Sequence, residues 1–411
     1  MTSASVAGER SRAAWFMPEF WSLVTISVLV IVTALLLLPV LNIIGLSLSG
    51  GVKDGGVFEH YRAFFSERFY YQTVFNSFWV SCWAMVFAVA LGVPAAYFVN
   101  RYDIWGKGLA RAAVVLTFVS PPFIGSYSWV VLFGRSGVAT QLFASWGISL
   151  PTIYGPSGII FVFTLQFFPF VFLLVSSGLK AIDQSVEDAA LNLGSSEFRT
   201  FRTVIAPLLV PSITTGALLV FIASFTDLGT PIILGEKFRV LPVLVYGEFV
   251  NEFGGRPVLA SALSVVLLAI TSAALLLQRW LSSRFSHASA AVRPLEVREQ
   301  PLAKRVAATV FVFLLIGTAL LPILNIVVSS FLEAKGPVLT GNFTLANYQR
   351  IASRLTLPLW NTVFFTTTAT LLCAMVGTAI AYIIVRRPGF VSSTLDTVVM
   401  FSYAVPGIVL G

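Results

Sequence analysis

The side chains best suited to a specific contact lie in one polar stretch, residues 180–211, of a chain that is otherwise strongly apolar. Glu187 and Asp188 form an acidic pair, and Ala189 and Ala190 follow directly. Two small residues on a helix let it approach another protein closely, while the carboxylates offer a charged contact. No cluster of His, Asp and Glu suited to catalysis accompanies them, so this stretch is predicted to recognise a partner.

The second part of the stretch is predicted to turn and form another short helix. Gly194 permits the turn because glycine adopts left-handed backbone conformations without a steric cost. Phe198 and Phe201 supply aromatic anchors, and Pro207 is expected to stop the helix. The whole stretch then presents an acidic and aromatic knob to a groove on another protein. The alternative is an amphipathic helix lying on the membrane surface.

Asp227 is the one acidic residue deep in a predicted membrane span. A charge at the bilayer centre costs about 2.5–3.5 kcal/mol on insertion scales, so this carboxylate should face protein or water. Two interpretations stay open. Asp227 is either a gate or transient contact for a cationic substrate, or a structural residue hydrogen-bonded to Thr226 or Thr230.

Prolines interrupt another predicted span at Ser120 and Pro121, and the interruption recurs at Pro406. Breaks at matching positions of two halves point to a transport path. Packing kinks would give the same pattern. We therefore take Ser120, Pro121, Asp227 and Pro406 as candidate residues of a translocation path.

Composition places all these residues in a polytopic α-helical membrane protein. Hydrophobic residues make up 57% of the chain and charged residues 11%, whereas soluble proteins carry roughly 25% charged residues. A helix needs about 20 apolar residues to cross a membrane. Nine stretches meet this condition: 20–46, 73–100, 112–133, 157–179, 212–235, 258–279, 306–330, 359–385 and 395–411. An all-α fold with about nine spans is predicted, the first being an uncleaved anchor.

Orientation follows from the basic residues. Most of the 26 Lys and Arg residues fall in segments on the same side as residues 1–19 and 180–211. The positive-inside rule places that side in the cytoplasm. Residues 1–19 are therefore predicted to be a cytoplasmic N-terminal segment.

The chain contains an internal repeat. The string L-P-V-L-N-I around Pro39 returns as L-P-I-L-N-I around Pro322. Five further residues recur with the same type 285 positions later: Asn76, Gly92, Tyr97, Arg101 and Pro121, matched by Asn361, Gly377, Tyr382, Arg386 and Pro406. This constant offset indicates a parallel duplication.

The repeat divides the chain into predicted domains. Residues 20–280 form a first six-span unit, residues 281–305 a flexible cytoplasmic linker, and residues 306–411 about three spans of a second unit. We expect the sequence to be part of a protein of roughly twelve spans, because the second unit stops within an apolar helix.

The polar stretch resembles the EAA loop of ABC-importer permeases, written E-A-A-x3-G-x9-I-x-L-P. Asp188, Ala189, Ala190 and Gly194 match its first part, with Asp in place of Glu. The tail departs at Val204 and Ala206 and keeps Pro207. Two fused halves, with the segments S-P-P-F-I-G-S-Y-S-W and T-D-L-G-T-P-I-I-L-G, are most similar to ferric-iron importer permeases. Polyamine, thiamine, sulfate and phosphonate permeases share the plan.

The resemblance implies a type I importer subunit in a bacterial inner membrane, which performs no covalent chemistry. A dimer of ATPase subunits would bind ATP and Mg²⁺ on the cytoplasmic side, and a periplasmic or lipoprotein binding protein would deliver solute outside. The chain has no G-x-x-x-x-G-K-[ST] phosphate loop, and we expect no cofactor and no metal on it. The residues implied in ATPase coupling are Glu187, Asp188, Ala189, Ala190, Gly194, Phe198, Phe201 and Pro207.

Two classes of protein remain as alternatives. An ATP-independent secondary transporter would usually carry several ionisable residues within its spans, and Asp227 is nearly alone. An integral membrane enzyme would need a clustered His, Asp or Glu set at a membrane face. Neither pattern is present in this sequence.

Overall fold

The computed structural model describes residues 20–49, 58–119, 121–250, 256–285, 293, 295–335, 338–405 and 407. Within these ranges the first part of the chain forms twelve helices. They are α1 (Phe20–Ser47), α2 (Glu59–Ser66), α3 (Arg68–Arg101), α4 (Lys107–Val119), α5 (Pro122–Phe133), α6 (Val138–Ser145), α7 (Pro156–Ala181), α8 (Gln184–Asn192), α9 (Glu197–Thr226), α10 (Gly229–Leu234), α11 (Leu241–Val250) and α12 (Pro257–Phe285).

The second part of the described chain starts with a long helix, followed by a two-stranded antiparallel hairpin. The hairpin was not predicted from the sequence. Its elements are α13 (Leu302–Ser330), β1 (Leu332–Lys335), β2 (Val338–Phe343), α14 (Ala346–Arg354), α15 (Thr356–Arg386) and α16 (Phe390–Ala404). The polytopic all-α fold predicted from composition is therefore confirmed.

Nine spans were predicted, and the described residues account for seven or eight of them. In the described residues, seven helices are long and apolar enough to cross a membrane, or eight if one bent pair is a single span. That pair corresponds to the predicted interrupted span 112–133: α4 and the α5–α6 segment meet at 102°. Proline disfavours helical backbone in the residue before it and favours the first turn of a new helix, so Pro121 and Pro122 separate the two parts. The ninth prediction, 395–411, lies partly outside the described residues.

The core of the bundle is formed by α3, α7 and α9. Small residues let α3 approach α7: Ala84, Ala88, Ala95 and Ala96 are buried. A Cβ on Gly92 would come within 2.9 Å of the Cβ of Val171. Small residues at helix contacts are the usual way in which membrane helices gain packing energy, since lipid provides no hydrophobic drive between them.

The first helix of each predicted unit contacts the other unit, and α1 also packs within its own. α1 packs against α12, and its Trp21 ring stacks on Tyr382 of α15 at a centroid distance of 4.1 Å. α13 in turn packs against α4 and α5 of the first unit. The Nδ2 of Asn325 donates to the Oγ of Ser128 at 2.8 Å, which ties α13 to α5 within the bundle.

Candidate functional site

The candidate site is the loop between α7 and α9, which contains α8. Asp183 starts α8 by accepting a hydrogen bond from the Ser185 amide at 2.9 Å. Gly194 ends the helix with a φ of +81°, in the left-handed region that favours glycine. The oxygen of Ser196 then accepts from the Arg199 amide at the start of α9. The predicted helix–turn–helix is thus present, with caps of the expected residue types.

Pro207 does not stop the second helix, and that prediction is wrong. α9 runs unbroken from Glu197 to Thr226, with a wide π-helical turn over Phe201–Ile205. Proline inside a regular helix leaves one carbonyl unpaired and clashes with the preceding turn. The wider turn lies directly before Pro207, where the Ala206 amide donates to the Phe201 carbonyl, and so it relieves this conflict.

Glu187 faces inward and forms the buried centre of the loop. Its carboxylate pairs with Arg101 at the end of α3 at 2.5 Å and with Arg298 at 3.1 Å. The side chains of Arg101 and Glu187 are only 2% and 3% exposed. The sequence predicted Glu187 as a residue that contacts another protein, but the structure gives it partners within the chain.

The two arginines were missed as members of this site. The recurrence of Arg101 at Arg386 in the repeat marked Arg101 as a candidate. The repeat did not indicate Glu187 as its partner. Arg298 lies 111 positions after Glu187 in a segment predicted to be a flexible linker. Residues 295–300 instead run along the loop, where Arg298 also lies 3.5 Å from Glu197.

The remaining loop residues divide into outward and inward groups. Phe198 and Leu193 are 74% and 89% exposed, so they form an apolar projection on either side of Gly194. Ala189 is also exposed, while Ala190 and Asp188 are half-buried. Asp188 accepts a hydrogen bond from the Gln184 side chain at 2.7 Å. Leu193 was not among the residues predicted from the sequence, although an apolar residue beside the turn that ends a polar helix indicates an exposed contact.

Aromatic packing supports the loop from inside. The Phe201 ring is half-buried and packs edge-on against Tyr97 of α3 at 4.8 Å. Burial raises the pKa of the neighbouring Tyr102 hydroxyl, and Glu197 raises it further, while Arg101 lowers it. Tyr102 is therefore a neutral group at neutral pH. Phe201 thus holds the loop in place, and Phe198 is the aromatic residue left open.

The two candidate breaks of the path lie next to each other. α9 ends at Thr226, and Asp227 accepts a hydrogen bond from the Thr230 amide of α10 at 2.8 Å. The Thr230 hydroxyl in turn accepts from Ser126 of α5 at 2.9 Å. The break after Pro121 is thereby brought against the break at Asp227. One of the two interpretations of Asp227 was a structural residue hydrogen-bonded to Thr226 or Thr230. Thr230 is the partner in the structure.

The cavity beside this junction is small. It has a volume of about 30 Å³ and is lined in part by Pro121, Gly125, Trp129 and Pro322. That space is large enough for a water molecule. Ser120 and Pro406, the other two candidate path residues, lie outside the described residues. A second cavity has a volume of about 580 Å³ and is lined in part by Glu236, Arg239 and Glu248. It lies at the opposite end of the bundle from the loop.

Comparison with known proteins identifies the family. Residues 88–287, which include the whole loop, match the model of the binding-protein-dependent transport system inner membrane component. The molybdenum transport system permease protein ModB of Haemophilus influenzae is 30% identical over 49% of this chain and 88% of its own length. The chain belongs to this family of importer permeases. The ABC-importer resemblance predicted from the EAA-like loop is therefore confirmed.

Longer relatives and a solved structure extend the likeness. The putative ferric transport system permease protein FbpB 1 of Haemophilus influenzae is 27% identical to the permease over 87% of the chain and 58% of that relative. The chain thus spans less than two thirds of this relative's length. The crystal structure of a bacterial ABC transporter that imports the polysaccharide alginate superposes with a TM-score of 0.51 and 16% identity. The superposition covers 67% of this chain and 99% of the matched chain of the alginate transporter, and it shows that the two chains share a fold.

Proposed function

We propose that this permease forms the membrane path of an ATP-driven importer and that the α8 loop docks a separate ATPase subunit. The observation that carries the proposal is the contrast within the loop. Its base is fixed by the buried Glu187, while Leu193 and Phe198 project into the surroundings. A loop whose base is held rigidly and whose apolar tip is exposed is suited to transmitting movement from a bound protein.

The residues that dock the ATPase are then some of those predicted, together with Leu193. Leu193, Ala189 and Phe198 provide the contact surface, with the half-buried Asp188 beside it. Gly194 supplies the turn, and Glu187, Phe201 and Pro207 act from within the fold. ATP and Mg²⁺ bind to the partner ATPase, and the loop side faces the cytoplasm together with the N-terminus.

We infer ferric iron as the solute, delivered by a periplasmic or lipoprotein binding protein. Support comes from the FbpB-type relative, which matches across most of the chain, whereas ModB matches about half of it. The cavity near Glu236 and Glu248 lies at the end where the binding protein would dock. Molybdate is the second candidate, because the ModB relative reaches a higher identity.

Uptake by cells tests this function. Cells that lack the gene should lose uptake of radiolabelled ferric iron. The restored gene should recover this uptake only while the partner ATPase remains active. Labelled molybdate and sulfate serve as matched controls and should be taken up equally with and without the gene. Iron uptake that persists with an inactive ATPase would indicate a secondary transporter. Loss of molybdate uptake alone would show that the solute is wrong.

A further inference from the structure

Residues 295–300, which we term the strap, are bonded to the loop along their length. The Glu296 amide donates to the Gln184 side chain of α8 at 2.9 Å. The Arg298 amide donates to the Arg101 carbonyl at the end of α3 at 2.8 Å. The strap therefore connects α3 and α8 through backbone groups.

Charge reinforces this attachment. Arg298 reaches both Glu187 of α8 and Glu197 of α9, and Arg101 donates to the Glu296 carbonyl as well as to Glu187. Glu187 is almost fully buried, so each of its ion pairs is poorly screened by solvent. Separating the strap from the loop would leave this carboxylate or Arg101 without a full set of partners, which is unfavourable in a buried setting. Loop and strap are therefore expected to move as one body.

The strap leads directly into α13, and this connection is also fixed. Pro301 forms the N-cap of α13. One turn later, Arg305 pairs with Asp103 at 3.2 Å and lies over the Trp105 ring at 4.5 Å. A displacement of the strap is therefore passed to the first turn of α13.

α13 carries the displacement to the broken span. Its Asn325 side chain and Pro322 carbonyl both bond to the Ser128 hydroxyl of α5. α5 starts directly after the break at Pro121. A continuous chain of hydrogen bonds and ion pairs thus runs from the α8 loop to the place where the span is interrupted.

We propose that the strap transmits movement of the α8 loop to α13, with Arg298 as the positioning residue that makes the two move together. This inference rests on the proposed docking of an ATPase at the loop. It gives the segment between the two units a mechanical role, since ATP-driven movement at the first unit's loop then also drives a helix of the second unit.

The test measures this movement in the permease assembled with its ATPase. Spin labels at Lys180 and Leu302, both exposed, report the distance between the end of α7 and the start of α13, after Cys82 and Cys373 are replaced by Ser. ATP with vanadate should shift this distance in the otherwise unchanged protein. In Arg298→Ala the shift should be lost, although the ATPase still co-purifies. Arg298→Lys, which keeps a charge, should retain part of it.

Arg293→Ala is the matched control. Among the residues that the structure describes, its side chain forms an ion pair only with the exposed Glu296 side chain, so the full shift should remain. A full shift in Arg298→Ala would overturn the strap, as would the absence of any shift in the unchanged protein while the ATPase is bound. Failure of the ATPase to co-purify with the unchanged protein would instead refute the docking function. Loss of the ATPase in Arg298→Ala alone would mean that Arg298 serves docking and would also overturn transmission.

Discussion

Glu187 illustrates how burial changes the meaning of a residue in a recognisable motif. Two adjacent carboxylates looked equivalent in sequence, yet Glu187 sits between Arg101 and Arg298 while Asp188 lies nearer the surface. Removing one partner of a buried ion pair leaves the other charge uncompensated, and that cost usually exceeds the net value of the pair. Glu187 is therefore a structural residue of the loop.

Glu187→Ala should destabilise the protein strongly. We expect a loss of about 3–5 kcal/mol of folding free energy, the usual cost of breaking a buried ion pair. Thermal unfolding in detergent measures this as a lower midpoint. Arg293→Ala removes an ion pair whose partners are 62% and 59% exposed and should leave the midpoint nearly unchanged, because solvent screens exposed ion pairs. Equal midpoints for the two variants would show that Glu187 is not the centre of the loop.

The sequence predicted which residues belong to the site better than it predicted whether each side chain faces inward or outward. Phe198 is exposed and Gly194 forms the turn, as expected, whereas Asp188 is half-buried. The inward direction of Glu187 depends on Arg298, and no local pattern connects residues so far apart in the chain. Pro207 was misjudged because the π-helical turn before it is a tertiary accommodation, which proline's intrinsic helix-breaking tendency does not include.

The helical elements show which parts of the fold are set by local pattern. Apolar runs of the right length predicted α1, α3, α7, α12, α13 and α15, with ends that moved by a few residues. The sharp bend between α4 and α5 was predicted only as an interruption, because prolines mark a break without giving its angle. The strap was predicted to be flexible, since its attachment depends on charges in distant elements.

The projection at the tip of the α8 loop should be needed for ATPase binding. Replacing both Leu193 and Phe198 by Asp puts charges where apolar groups would be buried. Loss of one interface anchor typically costs about 2 kcal/mol or more, roughly thirtyfold in affinity. Co-purification of the ATPase with the tagged permease measures the effect.

Phe343→Asp is the matched control for this experiment. Phe343 is 82% exposed, but it lies on the hairpin at the other end of the bundle, so the ATPase should remain bound. Retention of the ATPase by the Leu193 and Phe198 double variant would refute docking at this loop.

On the scale of the whole molecule, α1 and α13 hold the two predicted units together. α13 buries Val312, Leu315 and Ile316 in the core cluster of the first unit. α1 buries Val28 in a separate cluster with Ile380, Ile383 and Leu395. The covalent link between the units is therefore not their main attachment.

A cut between the units should leave them associated. A protease site inserted between Ala288 and Ser289 separates α12 from the strap without touching either. After cleavage, a tag on one part should still recover the other from detergent, because α1 and α13 stay packed against the other part. The same protein without protease is the control. Recovery of the tagged part alone would show that these helix contacts contribute little to cohesion.

The contact of α1 with the second unit also has a consequence for synthesis of the protein. The partners of Trp21 and Val28 on α15 and α16 are made more than three hundred residues after α1 itself. At roughly 5–20 residues per second of translation, α1 waits in the bilayer for about 20–70 seconds with one face bare. During that interval the lipid, or an insertion factor, has to cover the surface that α15 later occupies. The order of the helices in the chain thus sets a waiting time in its assembly.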